Sequence, residues 1–158
     1  MPVSRIYKLA ISLSLPFLAG LIGSLSTAPA ISAWYVYINK PSWNPPNWLF
    51  GPVWTTLYVL MGISLFIVWD KVSDFRSAKK ILAVFAVQLV LNTAWSLIFF
   101  GARSPFWSLM EIALLILAII WNMLVFYRIS RPAPWLLAPY LAWVIFASYL
   151  NYTILTLN

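Results

Sequence analysis

Five apolar runs, each about 21–23 residues long, limit what this 158-residue chain can fold into. They cover 6–27, 48–69, 81–101, 105–127 and 135–156. At 1.5 Å per residue such runs span roughly 32–35 Å as helix, enough to cross a bilayer core with modest tilt. Helix is the required conformation, because backbone exposed to lipid must satisfy its own hydrogen bonds. A barrel would need strict alternation of apolar and polar residues, which the runs lack. Only 8% of residues are charged, against roughly 25% in a soluble domain, so the surface faces lipid rather than water. The expectation is an all-α integral membrane protein, a five-transmembrane-helix bundle forming one domain over 1–158. There is no solenoid repeat, and an odd helix count does not supply the inverted repeat of many transporters.

The basic residues alternate with the runs. Arg5, Lys8, Lys71, Arg76, Lys79, Lys80, Arg128 and Arg131 fall on one side, and only Lys40 and Arg103 on the other. Eight against two places the N-terminus in the cytoplasm and the C-terminus outside. The net charge of +7 therefore reads as an orientation signal, not a nucleic-acid surface. The first run is too long for a secretory h-region, and Pro29 sits awkwardly in the small-residue site after it, so it is expected to be retained. The first loop, 28–45, then lies outside and is the candidate lid, carrying Lys40, Pro41, Trp43 and Pro45 beside Pro46.

The chain has no Cys and no His, which removes thiolate chemistry and the commonest metal ligand, so no metal site is expected. It also has no phosphate loop, hydrolytic triad or paired carboxylate. What it has is ten Trp. Trp48, Trp69, Trp107 and Trp135 lie at run ends and read as interfacial anchors. Trp54, Trp95, Trp121 and Trp143 lie inside the runs, where anchoring does not explain them. Helical spacing collects several into stripes. These are Trp54, Tyr58, Met61, Leu65 and Trp69 in the second run, and Gln88, Asn92, Trp95 and Phe99 in the third. Tyr140, Trp143, Ala147 and Asn151 form the stripe of the fifth. Polar side chains within a span turn inward, toward a bundle interior or a cavity. Trp54 lies about 9 Å, Asn92 and Ala147 about 14 Å, and Asn151 about 8 Å below the same end of the bundle. Indoles with sparse amides in the same outer half of the bundle suit a flat hydrophobic ligand; the plainer reading is packing with interhelical bonds. Glu111, the one acid within a run, needs Arg103 or Lys40 as a partner, or a proton. Ala19 and Gly23 offer a small-residue packing face.

The sequence resembles the TspO/MBR family of translocator proteins, also called tryptophan-rich sensory proteins or peripheral-type benzodiazepine receptors. The likeness lies in Trp34-Tyr35, in Lys40-Pro41-Ser42-Trp43-Asn44-Pro45-Pro46, in Trp54 and Tyr58, and in Gln88 with Asn92-Thr93-Ala94-Trp95-Ser96. It continues through Phe99-Phe100-Gly101 and from Pro139 to Asn151. The resemblance implies a five-helix bundle, often a homodimer, that binds porphyrins such as protoporphyrin IX and synthetic planar ligands. By position, Trp54, Asn92, Trp143 and Ala147 match the family's pocket, with Trp34, Tyr35 and Gln88 as further lining. Trp54 and Trp143 also match tryptophans to which light-driven porphyrin breakdown is attributed in some bacterial relatives. Three readings share that pocket: a porphyrin sensor or scavenger, a photo-oxidative porphyrin-degrading enzyme, and a tetrapyrrole or lipid carrier. No cofactor is required, and porphyrin stands as ligand. Without His, haem iron lacks its usual axial ligand, so metal-free porphyrin is expected. No basic residue follows Tyr149 or Tyr152, so the cholesterol motif of animal relatives is incomplete.

Overall fold

A computed structural model describes residues 4–158. It contains five long apolar helices and, among the described residues, no strand. α1 spans Arg5–Ala30 and continues through a wider π-type turn, Ile31–Tyr35. α2 spans Asn47–Asp70 and α3 spans Phe75–Ser96, the latter also ending in a π-type turn at Leu97–Gly101. α4 spans Pro105–Tyr127, and α5 spans Ala138–Leu157 after a 3-10 turn at Ala133–Leu137.

Two boundaries differ from the sequence reading. The first helix does not stop at 27 but carries 28–35 with it, so the connection to α2 is only 36–46. In the sequence reading the run ends at 27, where continuous apolarity stops, and Pro29 follows within the next two residues. A helix in lipid holds its backbone bonds past a proline, since unpaired groups have no water to turn to. The third helix begins six residues earlier than 81. Asp74 caps it, its carboxylate accepting the Ser77 N–H at 2.8 Å, and Arg76, Lys79 and Lys80 lie exposed along its first turns. Long basic side chains reach water from such positions.

Packing runs round the bundle in the order α1, α2, α5, α4, α3 and back to α1. The half nearest the eight basic residues is solid: Met61, Leu65, Val68, Phe85, Ile119 and Phe126 are all fully buried. There α1 and α2 touch backbone to backbone, because a Cβ at Gly62 would stand 2.9 Å from both Leu13 Cα and the Ser12 carbonyl oxygen. The Lys8 ammonium closes this end by donating to the Trp69 carbonyl at 3.0 Å, and Arg5 pairs with Asp70 at 3.1 Å. Ala19 and Gly23 form the expected packing face, toward α3. The Ala19 carbonyl accepts from Thr93 Oγ1 at 3.1 Å, and a Cβ at Gly23 would meet Ser96 at 3.2 Å.

The tryptophans divide differently from the reading of run ends. Trp48, Trp107 and Trp135 are exposed, but Trp69 is buried in the core. Its stripe faces inward throughout, so position at a helix end did not decide its environment. Trp121 is 49% exposed on the outer face of α4 and belongs to neither cavity nor core.

Candidate functional site

The other half of the bundle is hollow. A cavity of about 340 Å³ lies between α1, α2, α3 and α5, within the usual size range of small-molecule sites. Its walls follow from the helix periods. α2 turns Asn47, Phe50, Gly51, Trp54 and Tyr58 toward it, α3 turns Asn92, Trp95 and Ser96, and α5 turns Trp143, Phe146, Ala147 and Asn151. α1 contributes small residues, Gly20, Gly23, Ser24 and Thr27. At Gly20 a Cβ would run into the Tyr58 ring, so glycine is what lets that phenol lie between α1 and α2.

The roof comes from the two π-type turns. The extra residue in each rotates the following side chains out of α-helical register. Tyr35 is thereby set against Phe99 and Phe100, with ring centroids 6.3 and 5.6 Å apart. Trp95 stacks under Phe99 at 5.0 Å. The 36–46 connection straps this roof down. Lys40 donates to the carbonyls of Tyr35 at 2.6 Å and Ile38 at 2.8 Å, and the Tyr35 hydroxyl donates to Asn44 Oδ1 at 2.8 Å. Trp43 stacks on Tyr149 at 5.2 Å and meets Phe146 edge-on. Asn39 and Asn158 exchange hydrogen bonds at 2.9 and 3.0 Å.

Polar groups in the wall fall into two kinds. Asn151 is committed: its carbonyl accepts from Trp95 Nε1 at 3.2 Å and Ser108 Oγ at 2.9 Å, and its amide donates to the Pro105 carbonyl at 2.8 Å. Asn92 donates to the Tyr140 hydroxyl at 3.2 Å, which leaves its carbonyl oxygen to accept from a ligand. The indole N–H groups of Trp54 and Trp143 and the Tyr58 hydroxyl have no partner among the described residues, so they are donors a ligand could use. No Lys or Arg stands in the wall.

Of the ten lining residues expected, the cavity wall includes Tyr35, Trp54, Tyr58, Asn92, Trp95, Trp143, Ala147 and Asn151. Two lie elsewhere. Trp34 sits behind the roof, edge-on to Phe99 at 5.5 Å, because the π-type turn rotates it off the lining face. Gln88 is buried one turn below Asn92, 1% exposed, with neither amide atom partnered among the described residues. The lid residues Lys40, Pro41, Trp43, Pro45 and Pro46 hold the roof from outside and do not line the cavity. Lys40 is spent on carbonyls and is not free to draw in a carboxylate. Glu111 pairs with neither Arg103 nor Lys40; it is buried on α4 with both carboxyl oxygens unpartnered among the described residues. The sequence reading missed Phe50, Gly51, Phe146 and the α1 glycines. Phe50 lies four residues before Trp54 and Phe146 three after Trp143, so the same spacing could have found both. Nothing in spacing marks which glycines face a void.

The family model for the TspO/MBR family matches residues 12–157. Tryptophan-rich protein TspO of Chlorobaculum tepidum is 47% identical over 154 residues, covering 98% of both chains. The translocator protein of Homo sapiens is 40% identical over 140 residues, 88% of this chain and 83% of that one. Tryptophan-rich sensory protein of Cereibacter sphaeroides is 35% identical over 150 residues, 93% and 92% of the two chains.

Proposed function

The chain belongs to the TspO/MBR family, and from that premise we propose that it is a membrane receptor whose cavity takes a planar hydrophobic ligand of the porphyrin type. The observation that carries this reading is that Trp54 and Trp143, from different helices, face one cavity with their indole N–H groups unpartnered among the described residues. Offset or edge-on ring contacts favour a flat aromatic guest, by about 0.5–1.5 kcal/mol per ring pair beyond area burial. The Asn92 carbonyl is an acceptor for a pyrrole N–H. With neither His nor Cys in the chain, recognition rests on stacking, and a metal-free ring is the matching guest. The bias of basic residues supports an N-terminus on the cytoplasmic side, which puts the hollow half in the outer leaflet.

Titration with protoporphyrin IX, followed by intrinsic fluorescence, tests the reading. We expect saturable quenching and roughly two- to tenfold weaker binding for Trp54→Phe and for Trp143→Phe. Trp121→Phe, on the lipid-facing surface, should leave affinity unchanged. Non-saturable quenching by the wild-type protein, or equal affinity in all three variants, would overturn it.

A further inference from the structure

The roof and strap close the end of the cavity, so a ligand needs another way in. On α2, Phe50 marks the edge facing α5, where its ring meets Trp143 at 5.9 Å. Gly51 follows, about 100° further round the helix. The same direction leads to α1, because Tyr58, about 80° round from Phe50, lies under Gly20 and edge-on to Phe17 at 5.7 Å. At Gly51 a Cβ would find nothing within 4 Å. About three turns further along α2, at Gly62, it would collide with the α1 backbone. The two helices therefore touch at one end and part at the other, and the space directly over Gly51 is open. Ser24 on α1 and Asn47 and Gly51 on α2 line the cavity and are at the same time exposed. Toward α5 the way is barred by Trp143, Phe146 and Trp43, in contact at 5.4 and 5.9 Å.

We propose that the entrance to the cavity is the lateral gap between α1 and α2 at Gly51, opening into the bilayer beside the first-loop end. A flat hydrophobic molecule already dissolved in that leaflet passes through edge-on, with no movement of the roof. The small residues facing the gap, Gly51, Ser24 and Thr27, set its width. This rests on the reading that the cavity binds such a ligand, and the test separates the two.

Gly51→Leu places a side chain in open space, so the fold is retained while the gap narrows. Because Gly51 also borders the cavity, the readout is the rates: stopped-flow quenching by protoporphyrin IX in lipid nanodiscs should show association and dissociation slowed together, by roughly tenfold, with Kd changing by far less than either rate. That pairing belongs to a doorway. Unchanged rates, or a weaker Kd through faster dissociation alone, would show that Gly51 lines the cavity without controlling entry and would overturn the proposal. A second measurement needs no ligand. In this cysteine-free chain, Gly51→Cys should react readily with a maleimide dissolved in the bilayer and slowly with a charged, impermeant one. The reverse order would place Gly51 against water and remove the lateral entrance. If protoporphyrin fails to quench the wild-type protein, the binding reading falls, and the labelling still decides the entrance.

Discussion

Asn151 is the joint between the cavity wall and α4, and its replacement by leucine gives a sharp test of how the wall is held. The side chain is 1% exposed and makes three hydrogen bonds across helices, to Trp95, Ser108 and the Pro105 carbonyl. Leucine keeps the volume and removes all three. The loss is not threefold, because the Ser108 hydroxyl also reaches the Ser104 carbonyl at 2.9 Å and keeps a partner there. Interhelical bonds in membranes average about 0.6 kcal/mol, so the other two account for about 1.2 kcal/mol. An orphaned Trp95 N–H adds about 1 kcal/mol, the low end for an unpaired donor, since Trp95 is only partly buried. We expect Asn151→Leu to cost about 2 kcal/mol in all. Reversible unfolding in mixed micelles with increasing dodecyl sulfate, followed by circular dichroism, measures it. A double-mutant cycle sharpens the attribution. Trp95→Phe removes the same N–H, so both its bond and its orphaning drop out, and in that background Asn151→Leu should cost about 1.6 kcal/mol less. A single-variant cost below about 0.5 kcal/mol, or no coupling in the cycle, would show that Asn151 does not hold Trp95 in place.

Three further outcomes follow from the geometry. Gly62→Val forces the touching backbones of α1 and α2 apart and should lower stability in the same unfolding assay by about 1–3 kcal/mol, whereas Gly51→Val should cost far less. Glu111→Gln preserves shape and removes a buried, unpartnered carboxyl, so it should leave the unfolding midpoint equal to or above wild type; a large loss would reveal a charge partner. The Asp74 carboxyl is held below the usual carboxylate range by the Ser77 N–H it accepts, so the cap stabilises α3 above the unfolded-state pKa of about 3.9 and fades as pH falls through the lower folded value. Asp74→Asn, which keeps the acceptor oxygen without the charge, should abolish that pH dependence in an acid titration of the unfolding midpoint.

The helices were legible because lipid leaves one solution for a long apolar run, and the inward faces were legible because amides are costly against lipid, whereas Trp alone does not mark an inward face, as Trp121 shows. Spacing identifies a face, however, and not what that face meets. The α2 stripe continues from Trp54 and Tyr58 into Met61, Leu65 and Trp69 with no change in period. The first pair borders a void and the last three pack solid. The α3 stripe breaks the same way between Asn92 and Gln88. The difference lies in how far the next helix stands off, which depends on contacts such as that of Gly62 with Leu13. Neither π-type turn was visible either, and with them went the true place of Trp34. Lys40 misled for a related reason. In sequence it is an isolated cation in a loop, and only the continuation of α1 to Tyr35 brings it under carbonyls that need a donor.

A void of this size would be expensive in a soluble core, where collapse gains hydrophobic burial as well as contact. Within a bilayer the tails are as apolar as leucine, so an open cavity beside them forfeits chiefly dispersion contacts. Those contacts can be restored by a lipid chain or a flat ligand sliding in through the side. The rigid parts of the hollow half stand where flexibility would let it collapse. Lys40, Tyr35 and Asn44 fix the roof to the end of α1, Trp43 ties the strap to α5, and Asn151 ties α5 and Trp95 to the start of α4. The α1–α2 seam beside Gly51 has no such tie among the described residues, while the same seam at Gly62 is fixed by backbone contact. A bundle braced on its roof and on its α5 side, and left open at one seam, keeps its hollow, and with the entrance we propose it would admit a guest from the membrane without unfolding any part of itself.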